Sequence, residues 1–196
     1  MQSKDALIVV DVQNDFCPGG ALGVKNGDEI IPVLNRYIEK FKAARLPVIA
    51  TRDWHPQKTT HFKEYGGVWP VHCVQQTAGA EFHPELRLPE DAILVSKGMA
   101  ADEDSYSAFH GRTDSGISLE ELLRGLGVER LFIGGLATDY CVKYTAFDGM
   151  TQGFTIVVLT DAIRGVNLDP SDSEQALAEM HRAGAATLES IDELPI

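Results

Sequence analysis

Apolar and polar positions come in alternating blocks along the chain. Residues 6–12 (ALIVVDV) form a short, β-branched apolar run, the pattern of a strand covered on both faces. Pro18, Gly19, Gly20, Gly23 and Gly27 then mark a loop. Across residues 28–45, Ile30, Ile31, Leu34, Tyr37, Ile38 and Phe41 recur at helical spacing, and Pro32 falls in the tolerated first turn. Residues 46–51 (LPVIAT) predict the next strand. Further strands are expected over 92–96, 129–135, 154–159 and 186–188, and helices over 119–126, 138–152 and 173–183. Strands that alternate with helices build βαβ units with right-handed crossovers. The expected fold class is therefore α/β, with a mostly parallel central sheet and helices on both faces in three layers.

One stretch breaks the alternation. Residues from about 54 to 89 follow neither period, and they hold four of the nine prolines and four of the six histidines. A loop that long inside a compact domain usually carries function. The expectation is one domain over residues 1–196, with an irregular metal- and substrate-binding excursion at about 53–90.

Charge narrows the partners. Lysine plus arginine is 17 against 29 aspartate plus glutamate, a net charge of −12. That balance argues against nucleic acid, whose phosphates need a basic face, and against an anionic membrane surface. The longest apolar run, residues 6–10, is far short of the roughly 20 needed to span a bilayer, and the N-terminus carries no signal pattern. Three cysteines (Cys17, Cys73 and Cys141) cannot all pair internally, so a reduced, cytoplasmic protein is expected. Buried packing is the default for Cys17 and Cys73. A homo-oligomer stays open.

In open α/β sheets, ligands bind beyond the C-terminal ends of the strands. The first strand ends at Asp11, the 92–96 strand runs into Lys97, and Cys141 follows the 129–135 strand within the first turn or so of the next helix. A carboxylate, an ammonium and a thiol thus reach one edge. A thiol is mostly protonated at neutral pH, and a helix N-terminus or a lysine favours its anion. A carboxylate can take the proton and return it to a leaving amine. Backbone amides near Ala137 and Cys141 could hold an oxyanion. Each residue alone reads more simply as a buried thiol, a loop cap or a solvated lysine; their joint arrival brings the catalytic reading level with those.

A second cluster is Asp53, His55 and His72. Asp53 and His55 are two apart at the end of an extended segment and leave the same face. Carboxylate with imidazole suits a divalent transition metal such as Zn²⁺, Fe²⁺ or Mn²⁺. Glu64 is a further oxygen donor to consider. The simpler alternative, side chains bonding loop backbone, is at least as good on spacing alone, and for His61 and His83 it is the better one. The aromatic residues Phe16, Trp69 and Tyr106 lie beside these groups, either pinning loops or walling a flat pocket.

The segments ALIVVDVQNDFCPGGALGV from Ala6, TRDWHP from Thr51, GGVWPVHCVQQTAGAEF from Gly66, VSKG from Val95 and GGLATDYCVKYTAFDG from Gly134 resemble, in order and over essentially the whole chain, the nicotinamidase group of the isochorismatase-like cysteine hydrolases. The pairing of DWHP with WPVHC sets that group apart from its isochorismatase and carbamoylsarcosine-amidase relatives. The resemblance implies an isochorismatase-like fold, Asp11, Lys97 and Cys141 as a catalytic triad, and Asp53, His55 and His72 as ligands of one metal ion, Zn²⁺ first. It also implies Phe16, Trp69 and Tyr106 in the substrate pocket, a cis peptide near Ala137 that turns an amide toward the oxyanion, and nicotinamide as substrate, in NAD salvage. Residues 57–61 (QKTTH) depart from the His-x-Ser-Phe pattern that often follows DWHP. The rival expectations are a related hydrolase of another small amide and a silent binding protein that keeps the pocket.

Overall fold

A computed structural model of the chain describes residues 4–103 and 106–196. Strands β1 (Asp5–Val10), β2 (Val48–Asp53), β3 (Ile93–Lys97), β4 (Arg130–Leu136), β5 (Thr155–Arg164) and β6 (Ala186–Leu188) form one sheet in the order β3-β2-β1-β4-β5-β6. All five pairings are parallel. Helices α1 (Ile31–Ala43), α2 (Leu119–Gly125), α3 (Lys143–Thr151) and α4 (Asp172–Ala183) cover it. This is the expected α/β class with its parallel sheet.

Why β1 sits at the centre follows from its side chains. Successive residues point to opposite faces. Leu7 and Val9 pack with Leu34, Tyr37, Ile38 and Phe41 of α1 on one face. Ala6, Ile8 and Val10 pack on the other with Leu119 and Leu123 of α2, Ala146 of α3 and Met180 of α4. All of β1 is buried. Each fully buried Leu or Ile contributes about 1.5–3 kcal/mol, so the strand is a firmly held rod from which Asp11 emerges. Local signals set the helix ends. Pro32 lies in the first turn of α1, Ser118 and Glu121 form a capping box on α2, and Gly184 ends α4 at φ 113°.

Two elements differ from the expectation. The helix expected from residue 138 opens with a wide π-type turn, Thr138–Val142, before α3. Strand β5 runs to Arg164 because its pairing with β4 shifts register between Ile133 and Gly135, which lets the chain resume beyond Val158 at Ile163. The excursion holds only short turns, Lys63–Tyr65 and Ala78–Ala80, and isolated bridges such as His55↔Val74 and Phe62↔Trp69.

Strand order reverses at β1, which is flanked by β2 and β4. The crevice at that switch point is where ligands bind in such sheets. No helix among the described residues is long and apolar enough to cross a membrane.

Candidate active site and metal centre

Asp11 directly follows β1 in a left-handed conformation, φ 48°. Its N–H donates to the Thr51 carbonyl at 3.2 Å, and its Oδ1 accepts from the Thr51 hydroxyl at 2.6 Å. Lys97 ends β3 beside Asp53, its register partner at the end of β2. The lysine is wholly buried. Its Nζ lies 2.9 Å from Asp11 Oδ2 and 3.5 Å from Cys141 Sγ, and it also pairs with Asp53 Oδ1. Two strand ends and one turn thus converge on the ammonium that closes a third strand.

Electrostatics follow from this crowding. Burial opposes the Lys97 cation, but the Asp11 and Asp53 carboxylates outweigh it and hold the ammonium charged far above its ordinary range. Burial raises the Asp11 carboxyl, with Lys97 pulling the other way and Asp53 adding to the rise. For Asp53, burial is outweighed by Lys97, His55 and His72, so its carboxyl is held well below the usual carboxylate range. Cys141 is pushed well above an ordinary thiol, chiefly by burial, with Lys97 opposing and both carboxylates reinforcing. One cation already faces two carboxylates, so a third anion is disfavoured. Lys97 is the one neighbour here that favours the sulfur anion, the role the sequence reading gave it. The Leu136–Ala137 peptide, just ahead of this turn, is cis.

Beside Asp11, Lys97 and Cys141, imidazoles gather around the free side of Asp53. Its Oδ2 lies 3.6 Å from His55 Nε2 and 3.9 Å from His72 Nε2. His55 Nδ1 bonds the Gly98 carbonyl at 3.0 Å and His72 Nδ1 bonds the Pro70 carbonyl at 2.7 Å. Those carbonyls accept, so each Nδ1 carries the proton and each Nε2 presents its lone pair, the usual preparation of a metal-binding histidine. His55 Nε2 is buried with no hydrogen-bond partner. Gly98 must be glycine here: it sits at φ +64°, and a Cβ would lie 2.5 Å from the His55 ring. Burial lowers the His72 imidazole to about 4, against the pull of Asp53. An orphaned ring nitrogen facing a carboxylate and further imidazoles fits a divalent transition metal.

His61 is a correction to the sequence reading. It is buried, stacks on His55 with centroids 4.6 Å apart, and lies 5.3 Å from the His72 ring. Ring nitrogens of His55, His61 and His72 fall within 4.8 Å of one another. No period in the sequence announces this placement. It depends on the Phe62↔Trp69 bridge closing a small loop, where Gly67 packs so tightly that a Cβ would meet the His61 carbonyl oxygen at 2.1 Å. Glu64 is exposed on the Lys63–Tyr65 turn. His83 bonds its own loop as expected, accepting the Glu85 N–H at 3.3 Å. Cys17 and Cys73 are free and buried, also as expected.

A cleft of about 350 Å³ opens over both centres. Phe16, Trp69, Tyr106 and Ala137 all line it, together with Asp53, His61, His72 and Cys141. Leu22, Tyr140 and Val166 complete the wall and were not singled out from sequence. Tyr140 had a signal, its place next to Cys141. Its ring meets Trp69 edge-on at 4.9 Å, and Trp69 Nε1 donates to the Tyr106 hydroxyl at 2.9 Å.

Residues 5–192 match the isochorismatase domain, and the chain belongs to that family. Its relatives within the family include nicotinamidases and pyrazinamidases. It is 43% identical over 197 residues to a nicotinamidase of Escherichia coli (strain K12), covering 92% of each chain. The pyrazinamidase of Pyrococcus horikoshii, solved in complex with zinc, superposes with a TM-score of 0.88 at 50% identity, covering 95% of this chain and 99% of that one. PnC1 from L. infantum, solved with nicotinate, superposes at 0.86 with 38% identity, covering 96% and 94%.

Proposed function

We propose that the protein hydrolyses nicotinamide to nicotinate and ammonia by way of a Cys141 thioester. The observation that carries this reading is the contact of Lys97 Nζ with Asp11, Asp53 and Cys141, on the floor of an aromatic cleft that abuts a metal-ready set of imidazoles. Nicotinamide and pyrazinamide hydrolases are also the relatives the chain resembles over nearly its full length.

Asp53, His55 and His72 would hold the ion, with His61 beside them. Bound there, a divalent ion, zinc by its donor set with Fe²⁺ or Mn²⁺ as alternatives, supplies a Lewis acid for the ring nitrogen of the substrate. Phe16 and Trp69 flank the flat ring, and Tyr106 and Tyr140 close the side wall. Asp11 takes the Cys141 proton as sulfur attacks the amide carbon. The backbone N–H groups of Ala137 and Cys141 receive the oxyanion. Asp11 then protonates the departing ammonia. A water that gives its proton to Asp11 attacks the thioester, releasing nicotinate and restoring the thiol. Lys97 stays charged throughout and keeps two neighbouring carboxylates compatible with burial.

The test is ammonia release from a panel of aromatic amides by metal-replete protein, with and without chelator. Nicotinamide turnover that falls on chelation is expected. No ammonia above the blank from nicotinamide would overturn the proposal, and turnover of a different amide alone would move the substrate elsewhere in the family.

A further inference from the structure

The excursion reaches the site with little regular structure, yet its metal-ligating side chains are held at fixed places. Much of that holding comes from the loop after β1. Gln13 is wholly buried. Its Oε1 accepts the Asp53 N–H at 2.8 Å, and its Nε2 donates to the Asp53 carbonyl and the Ala80 carbonyl, each at 2.8 Å. One amide side chain thus grips both backbone groups of a proposed ligand and a distant part of the excursion. Two residues on, Asp15 Oδ2 accepts the Cys73 N–H at 2.7 Å and Oδ1 accepts the Ala21 N–H at 3.2 Å. Cys73 follows His72 directly, and its carbonyl in turn accepts the His55 N–H at 3.0 Å. The excursion approaches so closely that a Cβ on Gly79 would lie 2.2 Å from the Asp15 carboxylate. Phe16, the next residue, meets the His72 ring at 5.4 Å.

From these contacts we infer that Gln13 and Asp15 are positioning residues for the metal centre: Gln13 fixes Asp53, and Asp15 fixes His72 and, through Cys73, His55. The inference rests on the ligand set proposed above and extends it to a shell that ties the ion to the strand carrying Asp11. Partners that orient metal ligands typically alter metal affinity about 10–100-fold when removed. Both positions admit isosteric tests. Gln13→Glu turns an acceptor toward the Asp53 and Ala80 carbonyls, and Asp15→Asn leaves one acceptor for two N–H donors.

Zinc alone, titrated against a chromogenic chelator, is the probe, with unfolding of the zinc-free proteins and separate kcat and KM values alongside. Zinc binding about 10–100-fold weaker is expected, with KM raised more than kcat is lowered, recovery in excess zinc, and near-normal unfolding of zinc-free Asp15→Asn. Asp15 is only half-buried, so this variant carries the test should Gln13→Glu fail to fold. Folded Asp15→Asn that binds zinc as the wild type does would overturn the inference alone. A wild-type protein that binds no zinc would overturn the ligand set beneath it. Weakened binding with unchanged KM would also overturn the positioning role.

Discussion

The sheet edge and the excursion meet at one cleft, but they are held there by different forces. Asp11 follows the wholly buried strand β1, Lys97 closes the buried end of β3, and Cys141 sits in a turn anchored by Val142 and Ala146 in the apolar layer. His61, Trp69 and His72 lie on chain without a ladder, fixed by isolated bridges and by the side chains of Gln13, Asn14 and Asp15. Apolar burial is non-directional and collective, so the edge tolerates small losses. Hydrogen-bonded placement is directional, and a lost partner leaves a buried polar group unpaired. Lys97 is where the two regimes touch, since it pairs with Asp11 on the edge and with Asp53 at the mouth of the excursion.

Breaking that junction has the largest expected effect. Lys97→Met leaves two buried carboxylates without their cation, and removing one partner of a buried ion pair typically costs about 3–5 kcal/mol. Denaturant unfolding at neutral pH is expected to show a loss of that order, shrinking in acid as Asp11, already raised by burial, takes up a proton. An unchanged midpoint would mean that the ammonium does not hold edge and excursion together.

The excursion gives a smaller effect with a defined pH window. His72 is held neutral down to about 4 when folded, while an unfolded histidine titrates near 6.5. Between those values the unfolded chain binds the extra proton, so zinc-free protein loses stability as pH falls from about 6.5 to about 4, by up to roughly 3 kcal/mol. Asp11 has the opposite sign, so the difference between wild type and His72→Gln isolates the histidine. Equal pH slopes for the two proteins would remove the buried neutral imidazole from the account.

Sequence made these two regions visible to different degrees. The strands and α1 were legible because burial on both faces imposes period 2 or 3.6 on the apolar residues. Strand ends then located Asp11, Lys97 and Cys141 without any spatial information. In the excursion only the i, i+2 pair Asp53 and His55 had a geometric signal. His72, Phe16, Trp69 and Tyr106 were picked by neighbourhood and by resemblance. His61 was misread as an ordinary loop histidine, because its burial depends on tertiary contacts around Gly67. The π-type turn before α3 leaves no mark on apolar spacing, and the register shift that lengthens β5 belongs to a pair of strands and to neither alone.

The account centres on the Cys141 sulfur as the attacking atom. Its most direct test is the steady-state rate of ammonia release from saturating nicotinamide by zinc-loaded Cys141→Ala, with bound zinc measured in the same samples. The account predicts zinc content equal to the wild type and a rate lowered by about 10⁴-fold or more, the scale seen when a nucleophile is removed. A zinc-loaded variant that turns over within tenfold of the wild type would contradict it.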